Sequence, residues 1–166
     1  MNEKMLNILL VEDDEVDVGR LVGEVVDLLA PPPSVDVHID PSLPVIRSEK
    51  LPLQQVFQNL IGNAIKYTRR PDASIRVTAK DAGEPWEFAV QDNGPGIAPE
   101  YHAKIFGLFQ TLEARDKVEA TGIGLSIVQK TVESRGGRVW VESEPGAGTT
   151  FRFTWPKTQH EEAQHA

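Results

Sequence analysis

The stretch Asn59–Thr68, "NLIGNAIKYT", interrupts an apolar run with two amides and an ammonium group. Around it, Val56, Phe57, Leu60, Ile61, Ala64 and Ile65 recur at helical spacing. They form one broad apolar stripe, which predicts a helix between Leu53 and Tyr67. Asn59, Asn63 and Lys66 fall at i, i+4 and i+7 and share a second face. An amide oxygen is a hard ligand suited to Mg²⁺, and a lysine is a point charge for phosphate. Such a face can hold a magnesium–polyphosphate unit. From this helix alone, a solvated face carrying Asn and Lys reads the same way.

Outward from this helix the pattern alternates between the two periods. Residues 16–30, "VDVGRLVGEVVDLLA", have helical spacing and stop at Pro31-Pro32-Pro33. "SVDVHID" follows as a strand, with Val35, Val37 and Ile39 on one side. Four more alternating segments come later: Ile75/Val77/Ala79, Trp86/Phe88/Val90, Val139/Val141 and Phe151/Phe153/Trp155. Between the second and third of these, a short helix is predicted around Tyr101–Phe109. A polar stretch and a helix from Gly124 to about Ser134 come next, closed by Gly136-Gly137. The expected fold class is α+β: a two-layer α/β sandwich, its mixed, mostly antiparallel sheet covered by helices on one face.

Composition narrows the function. A chain of 166 residues reads as one domain, long enough to bury roughly 70% of its unfolded surface. The formal charge of −8 argues against a broad nucleic-acid surface but leaves room for a local nucleotide pocket. The sequence has no cysteine, hence no disulfide framework or thiolate chemistry, which points to a cytoplasmic setting. No apolar run approaches the ~18 residues of a membrane span, and no signal peptide is evident.

Three glycine-bearing turns add to the helix. "DNGPGIAPE" (Asp92–Glu100) follows a predicted strand, and its glycines permit close backbone approach to a ligand. Asp92 at the strand end could accept a hydrogen bond from a ligand amino group; an acidic turn would look the same. "TGIGLSIVQK" opens the next helix with two glycines, where free N–H groups and the helix dipole favour an anion. A plain glycine turn with Thr121 at the cap is the alternative. "EPGAGTTF" precedes the last strand and could be a hairpin connection only. Gly122 and Gly124 loosely mimic a dinucleotide fingerprint, but Ile127 stands where the third glycine belongs and no strand precedes them. No Walker-type loop occurs.

In order, "QQVFQNLIGNAIKYT", "DNGPGIAPE", "IFGLFQ", "GIGLSIVQK" and "GAGTTF" resemble the N-box, first glycine box, phenylalanine motif, second glycine box and final glycine-threonine turn of sensor histidine kinases. The resemblance covers about residues 16–156. It implies the Bergerat ATP-binding fold of the GHKL superfamily, shared with gyrase, MutL and heat-shock chaperone ATPases. By the same resemblance, Asn63 would be the Mg²⁺ ligand with Asn59 in support, and Lys66 would contact phosphate. Tyr67 would lie against adenine and ribose. Asp92 would receive the adenine amino group, with Gly94, Gly96 and Ile97 shaping that wall. Phe106 and Phe109 would anchor a lid from about Gln110 to Thr121, whose polar, helix-poor character suits a segment that orders over nucleotide. Gly122, Ile123, Gly124 and Leu125 would close on the triphosphate, and Thr149 or Thr150 would border the adenine side.

The related ATPases place a glutamate at the Asn59 position to activate water. An amide cannot act as that base. The resemblance therefore implies a kinase that holds Mg-ATP and presents its γ-phosphate to a histidine on a separate dimerisation and phosphotransfer domain, with a response regulator downstream. The family pattern, G-T-G-L-G-L, has a glycine where Ala120 stands, and the added methyl would restrict the lid hinge. No acceptor box is present. His38 falls on the polar side of a strand, His102 in a turn, and His160 and His165 in the polar tail, residues 157–166. The chain reads as a catalytic domain without its dimerisation domain. "LNILLVEDDEVD" (Leu6–Asp17) resembles the first strand and acidic pair of a receiver, with Asp13 and Asp14 as would-be Mg²⁺ ligands. Residues 1–15 therefore read as an atypical, truncated or fused start. A response-regulator fragment, phosphorylated on Asp, is the alternative of another class; a non-catalytic ATP-sensing module is a third.

Overall fold

The computed structural model describes residues 14–106 and 115–157, and for residues 115–123 the backbone only. Strand β1 (Asp14–Asp17) leads into helix α1 (Val18–Leu29). Asp17 caps that helix, its carboxylate accepting the Arg20 N–H at 3.2 Å. Val18, Leu21, Val22 and Val25 form its buried stripe. Ala30 ends it in the left-handed conformation (φ 48°), and the prolines that follow cannot continue it. Val16, expected within this helix, is instead a buried residue of β1, which pairs antiparallel with β3 (Val45–Ser48). The expected division between residues 15 and 16 falls inside β1. Leu6–Asp13, most of the receiver-like segment, and the tail beyond Lys157 lie outside the described residues.

The main sheet has five strands in the order β2-β4-β5-β7-β6: Asp36–Ile39, Ser74–Asp81, Pro85–Asp92, Thr149–Pro156 and Val139–Ser143. β2 pairs parallel with β4, and the other pairings are antiparallel. Alternation sorts the faces. Ile75, Val77, Phe88, Val90, Phe151, Phe153 and Trp155 point inward and are buried. The other face carries polar groups, with Arg152 between Glu87 and Glu142.

Helix α2 (Lys50–Tyr67) lies across the inner face. Its Pro52 is harmless because the first turn has no N–H partners to lose. Phe57 meets Phe88 and Phe153 edge-on, with ring centroids 5.5 and 5.3 Å away. Truncating so deeply buried a ring costs about 3–5 kcal/mol, so this contact fixes the face that carries Asn59 and Asn63. At the far end of the sandwich, the buried Trp155 donates its indole N–H to Ser48 Oγ at 3.0 Å, tying the small sheet to the large one.

Two expectations need correction. The short helix around Tyr101–Phe109 is two 3₁₀ turns, Pro99–Tyr101 and Lys104–Phe106, with Gly107–Phe109 outside the described residues. Helix α3 spans Arg115–Ser134 and so starts nine residues before Gly124. The physical reason lies in "RDKVEA": Arg, Lys, Glu and Ala are good helix formers and carry the helix through the glycines, each of which costs about 1 kcal/mol. The part of the expected lid from Arg115 to Thr121 is thus helical, and residues 110–114 lie outside the described residues. At its C-terminus, Gly136 takes φ 82° and Gly137 N–H reaches Val132 O at 3.1 Å, ending the helix as expected.

Candidate functional site

α2 and α3 pack side by side, and their contact joins two of the sequence motifs. A β-carbon built on Gly124 would lie 3.5 Å from Asn59 Oδ1, so the amide oxygen faces the glycine backbone across the helix interface. Asn63 is one turn further along α2, half-buried. Because Thr121, Gly122, Ile123 and Gly124 are inside α3, the helix N-terminus that was expected to cradle an anion is not at these residues. Leu125 is buried in the core and holds the helix rather than facing solvent.

The end of β5 builds the second part. Asp92 Oδ1 accepts the Gly94 N–H at 2.8 Å. Burial pushes the Asp92 carboxyl above the ordinary aspartate range, while the Gly94 and Thr149 amides and the nearby Thr68 hydroxyl oppose that shift. Gly94 is closely hemmed in: an added β-carbon would press on Asp92 Oδ1, Thr68 Oγ1 and the Tyr67 carbonyl at 3.1–3.2 Å, so each would have to give by a few tenths of an ångström.

Gly96 and Ile97 are held from the other side by the β6–β7 turn. Gly96 has φ +84°, and a β-carbon there would sit 2.0 Å from Glu144 O. A β-carbon built on Gly148, φ +79°, would likewise collide with Asp92 O, at 2.3 Å. Ser143 Oγ accepts the Ile97 N–H at 2.7 Å, lies 2.9 Å from Thr149 Oγ1 and donates to Gly148 O at 2.7 Å. "EPGAGTTF" is therefore more than a hairpin connection; it interlocks with the first glycine loop backbone to backbone. Thr149 is buried on the inner face opposite Asp92, whereas Thr150 projects from the outer face opposite Gln91. The two threonines are not interchangeable.

A cavity of about 690 Å³ opens beside these elements, lined by Lys66, Tyr67, Arg69, Arg70, Pro71, Asp72, Gly94, Pro95 and Gly146. Lys66, Tyr67 and Gly94 were expected at the site; the two arginines were not. Asn59, Asn63 and Asp92 are not part of this wall; Lys66, Tyr67 and Gly94 are the expected site residues that reach it. Arg70 is engaged by Asp72 at 2.6 Å and by the Asn93 carbonyl at 3.0 Å. The Asn93 side chain accepts Ser74 N–H at 2.8 Å and donates to Asp72 O at 2.9 Å. Phe106 is buried edge-on against Phe151; Phe109 lies outside the described residues. His102 Nε2 lies 2.9 Å from Ile97 O and so braces the glycine loop. His38 sits beside Asp36 on an exposed strand. His160 and His165 lie outside the described residues.

Sequence reasoning missed Thr68, Asn93, Ser143 and Arg70. Asn93 sits in a D-N-G that reads as an ordinary turn. Ser143 offers no local signal, because Ile97 is 46 residues away. Among the described residues no cluster of His, Cys, Asp or Glu could hold a metal ion. Amide oxygens and polyphosphate are the donor set to consider, and Asn59 and Asn63 fit it. Among the described residues no helix is long and apolar enough to cross a membrane.

The fold that carries this arrangement is one that known proteins share. Residues 48–159 match the family described as histidine kinase-, DNA gyrase B-, and HSP90-like ATPase, and the chain belongs to that family. Among relatives, phytochrome-like protein Cph1 of Synechocystis sp. is 44% identical over 115 residues, 69% of this chain and 15% of Cph1. The chain thus spans a small part of that protein's length. Among solved structures, full-length ShkA in complex with AMPPNP superposes with a TM-score of 0.74 at 30% identity, over 90% of this chain and 32% of ShkA. The catalytic domain of histidine kinase ThkA does so at 0.70 and 28%, over 90% of this chain and 99% of that one. ThkA in complex with the response regulator TrrA matches at 0.67 and 29%, over 89% of this chain and 42% of ThkA. The fold is that of a histidine kinase ATP-binding catalytic domain.

Proposed function

We propose that this chain binds Mg-ATP and, as the catalytic domain of a two-component sensor kinase, donates the γ-phosphate to a histidine on a separate dimerisation and phosphotransfer domain. A response regulator would then receive it, as the ThkA–TrrA pairing suggests by analogy. The observation that carries this reading is the apposition of Asn59 with Gly124 across α2 and α3. It joins an amide-bearing helix to the second glycine box, and the position holds a group with no useful pKa. Such a site can position and neutralise polyphosphate without activating water.

The roles follow from the chemistry of each group. The Asn63 and Asn59 amide oxygens would hold Mg²⁺, which when bound neutralises charge on the polyphosphate. Lys66 would meet phosphate as a point charge, and Tyr67 would lie along adenine and ribose. The Asp92 carboxylate would accept the adenine amino group, beside Gly94, Gly96, Ile97 and Thr149. Gly122, Ile123 and Gly124 would border the triphosphate, with Thr121 before them, while the buried Leu125 holds the helix behind them. We place this reaction in the cytoplasm.

Calorimetric titration with AMPPNP, with and without Mg²⁺, tests the reading on the wild type and Asn63→Ala. Mg²⁺-dependent binding that drops at least about tenfold in the variant is expected, in the range seen when metal-site residues are removed. A folded wild type that binds no AMPPNP would overturn it.

A further inference from the structure

Thr68 terminates α2 and is only 3% exposed. Its N–H is satisfied by Ala64 O at 3.1 Å. Its hydroxyl turns toward the site: Thr68 Oγ1 and Asp92 Oδ1 flank the same Gly94 α-carbon, 3.2 and 3.1 Å from where a β-carbon would stand. Oγ1 makes no hydrogen bond of regular geometry, a state that buried hydroxyls rarely keep. The Asp92 carboxylate is the acceptor beside it, close enough for the hydroxyl to favour the charged form. Two amides, Gly94 and Thr149, already donate to that carboxylate, and further lone pairs remain.

We propose that Thr68 is a positioning residue of the nucleotide site, its buried hydroxyl holding the Asp92 carboxylate turned toward an incoming purine amino group. This rests on reading the site as an ATP pocket. Thr68 acts through Asp92 and not on the reacting atoms. Burial and hydrogen bonding govern Asp92, with no charged side chain among the interactions that set its ionisation. β4 presents Ile75 opposite it and β7 presents Thr149. Lys66 and Arg70 line the neighbouring cavity, Arg70 held by Asp72, and Glu144 turns its backbone carbonyl to the loop. Removing the Thr68 hydroxyl leaves burial less opposed, so Asp92 takes up its proton at higher pH.

The test compares Thr68→Val, Thr68→Ala and Thr68→Ser with wild type. Carbon-13 NMR reads the Asp92 carboxyl titration in the nucleotide-free chain, and calorimetry reads AMPPNP affinity from acid to neutral pH. In Thr68→Val the titration moves upward, and affinity falls about tenfold at the acid end for each unit of displacement. Near neutral pH its affinity converges with that of wild type. Thr68→Ser restores the wild-type profile, and Thr68→Ala carries the test if the valine variant does not fold. An equal loss at every pH, or an unmoved Asp92 titration, overturns the proposal. A wild type that binds no AMPPNP ends the ATP reading separately, while the NMR titration still decides whether Thr68 governs Asp92.

Discussion

The two glycine boxes are alike as text and opposite as structures. In the first, Gly96 is needed because its backbone touches that of the β6–β7 turn, whose Gly148 is needed for the same reason: both have positive φ, and a β-carbon on either would collide with a neighbouring carbonyl. In the second, Gly122 and Gly124 lie within α3, where any residue fits the helical dihedrals, and the space beside Gly124 is ordinary van der Waals distance from Asn59. The first box is built in by non-local contact. At Gly124 the fold leaves room for a side chain, so on the proposed reading that glycine answers to function.

The sharpest way to break this comparison is substitution. Gly96→Ala combines a strained φ with a backbone collision and should lose about 3–5 kcal/mol of stability in urea unfolding. Asn93→Ala, which removes the clip to Ser74 and Asp72, should lose about 2 kcal/mol. Gly124→Ala should gain up to about 1 kcal/mol in helix propensity, yet bind AMPPNP more weakly because its methyl sits against Asn59. Equal destabilisation by Gly96→Ala and Gly124→Ala would erase the distinction.

A smaller effect separates the regions by pH. Asp92 is raised by burial, so the folded state holds its proton more tightly than the unfolded chain. Its contribution to stability is therefore fully present below the ordinary aspartate range and is lost as pH rises through the raised value. Nucleotide affinity should run the other way, weakening as pH falls through that value, because the proposed contact with adenine needs the carboxylate. Asp92→Asn should flatten the stability slope over this window, which urea midpoints at a series of pH values would measure. A slope that survives in Asp92→Asn belongs to another group.

What could be read beforehand follows the range of the interactions. α2 was legible because its stripe and its polar face both lie on a continuous run of residues. The five strands of the main sheet showed through their alternation. β1 and β3 lack an apolar alternation, since Val16 is the lone apolar residue of β1 and Val45 and Ile46 of β3 are adjacent, and their partners are some thirty residues apart in the chain. α3 was started too late because glycine is a stronger visible signal than the cumulative propensity of "RDKVEA". Asp92, Gly94 and Asn63 could be nominated from motif order, whereas Ser143 and Thr68 became visible only when distant segments were brought together.

The Asn93–Gly94 step also bears on chemical ageing. Asn-Gly is the sequence most prone to deamidation, since an unhindered glycine nitrogen can attack the preceding side-chain amide and close a succinimide. Here the attacking nitrogen is occupied by Asp92, and the amide is pinned at both ends by Ser74 and Asp72. The folded domain thus shields its most vulnerable peptide bond, and the lesion should accumulate at Asn93 only in molecules that have lost this clasp. A deamidated Asn93 in a peptide map would serve as a record of past unfolding.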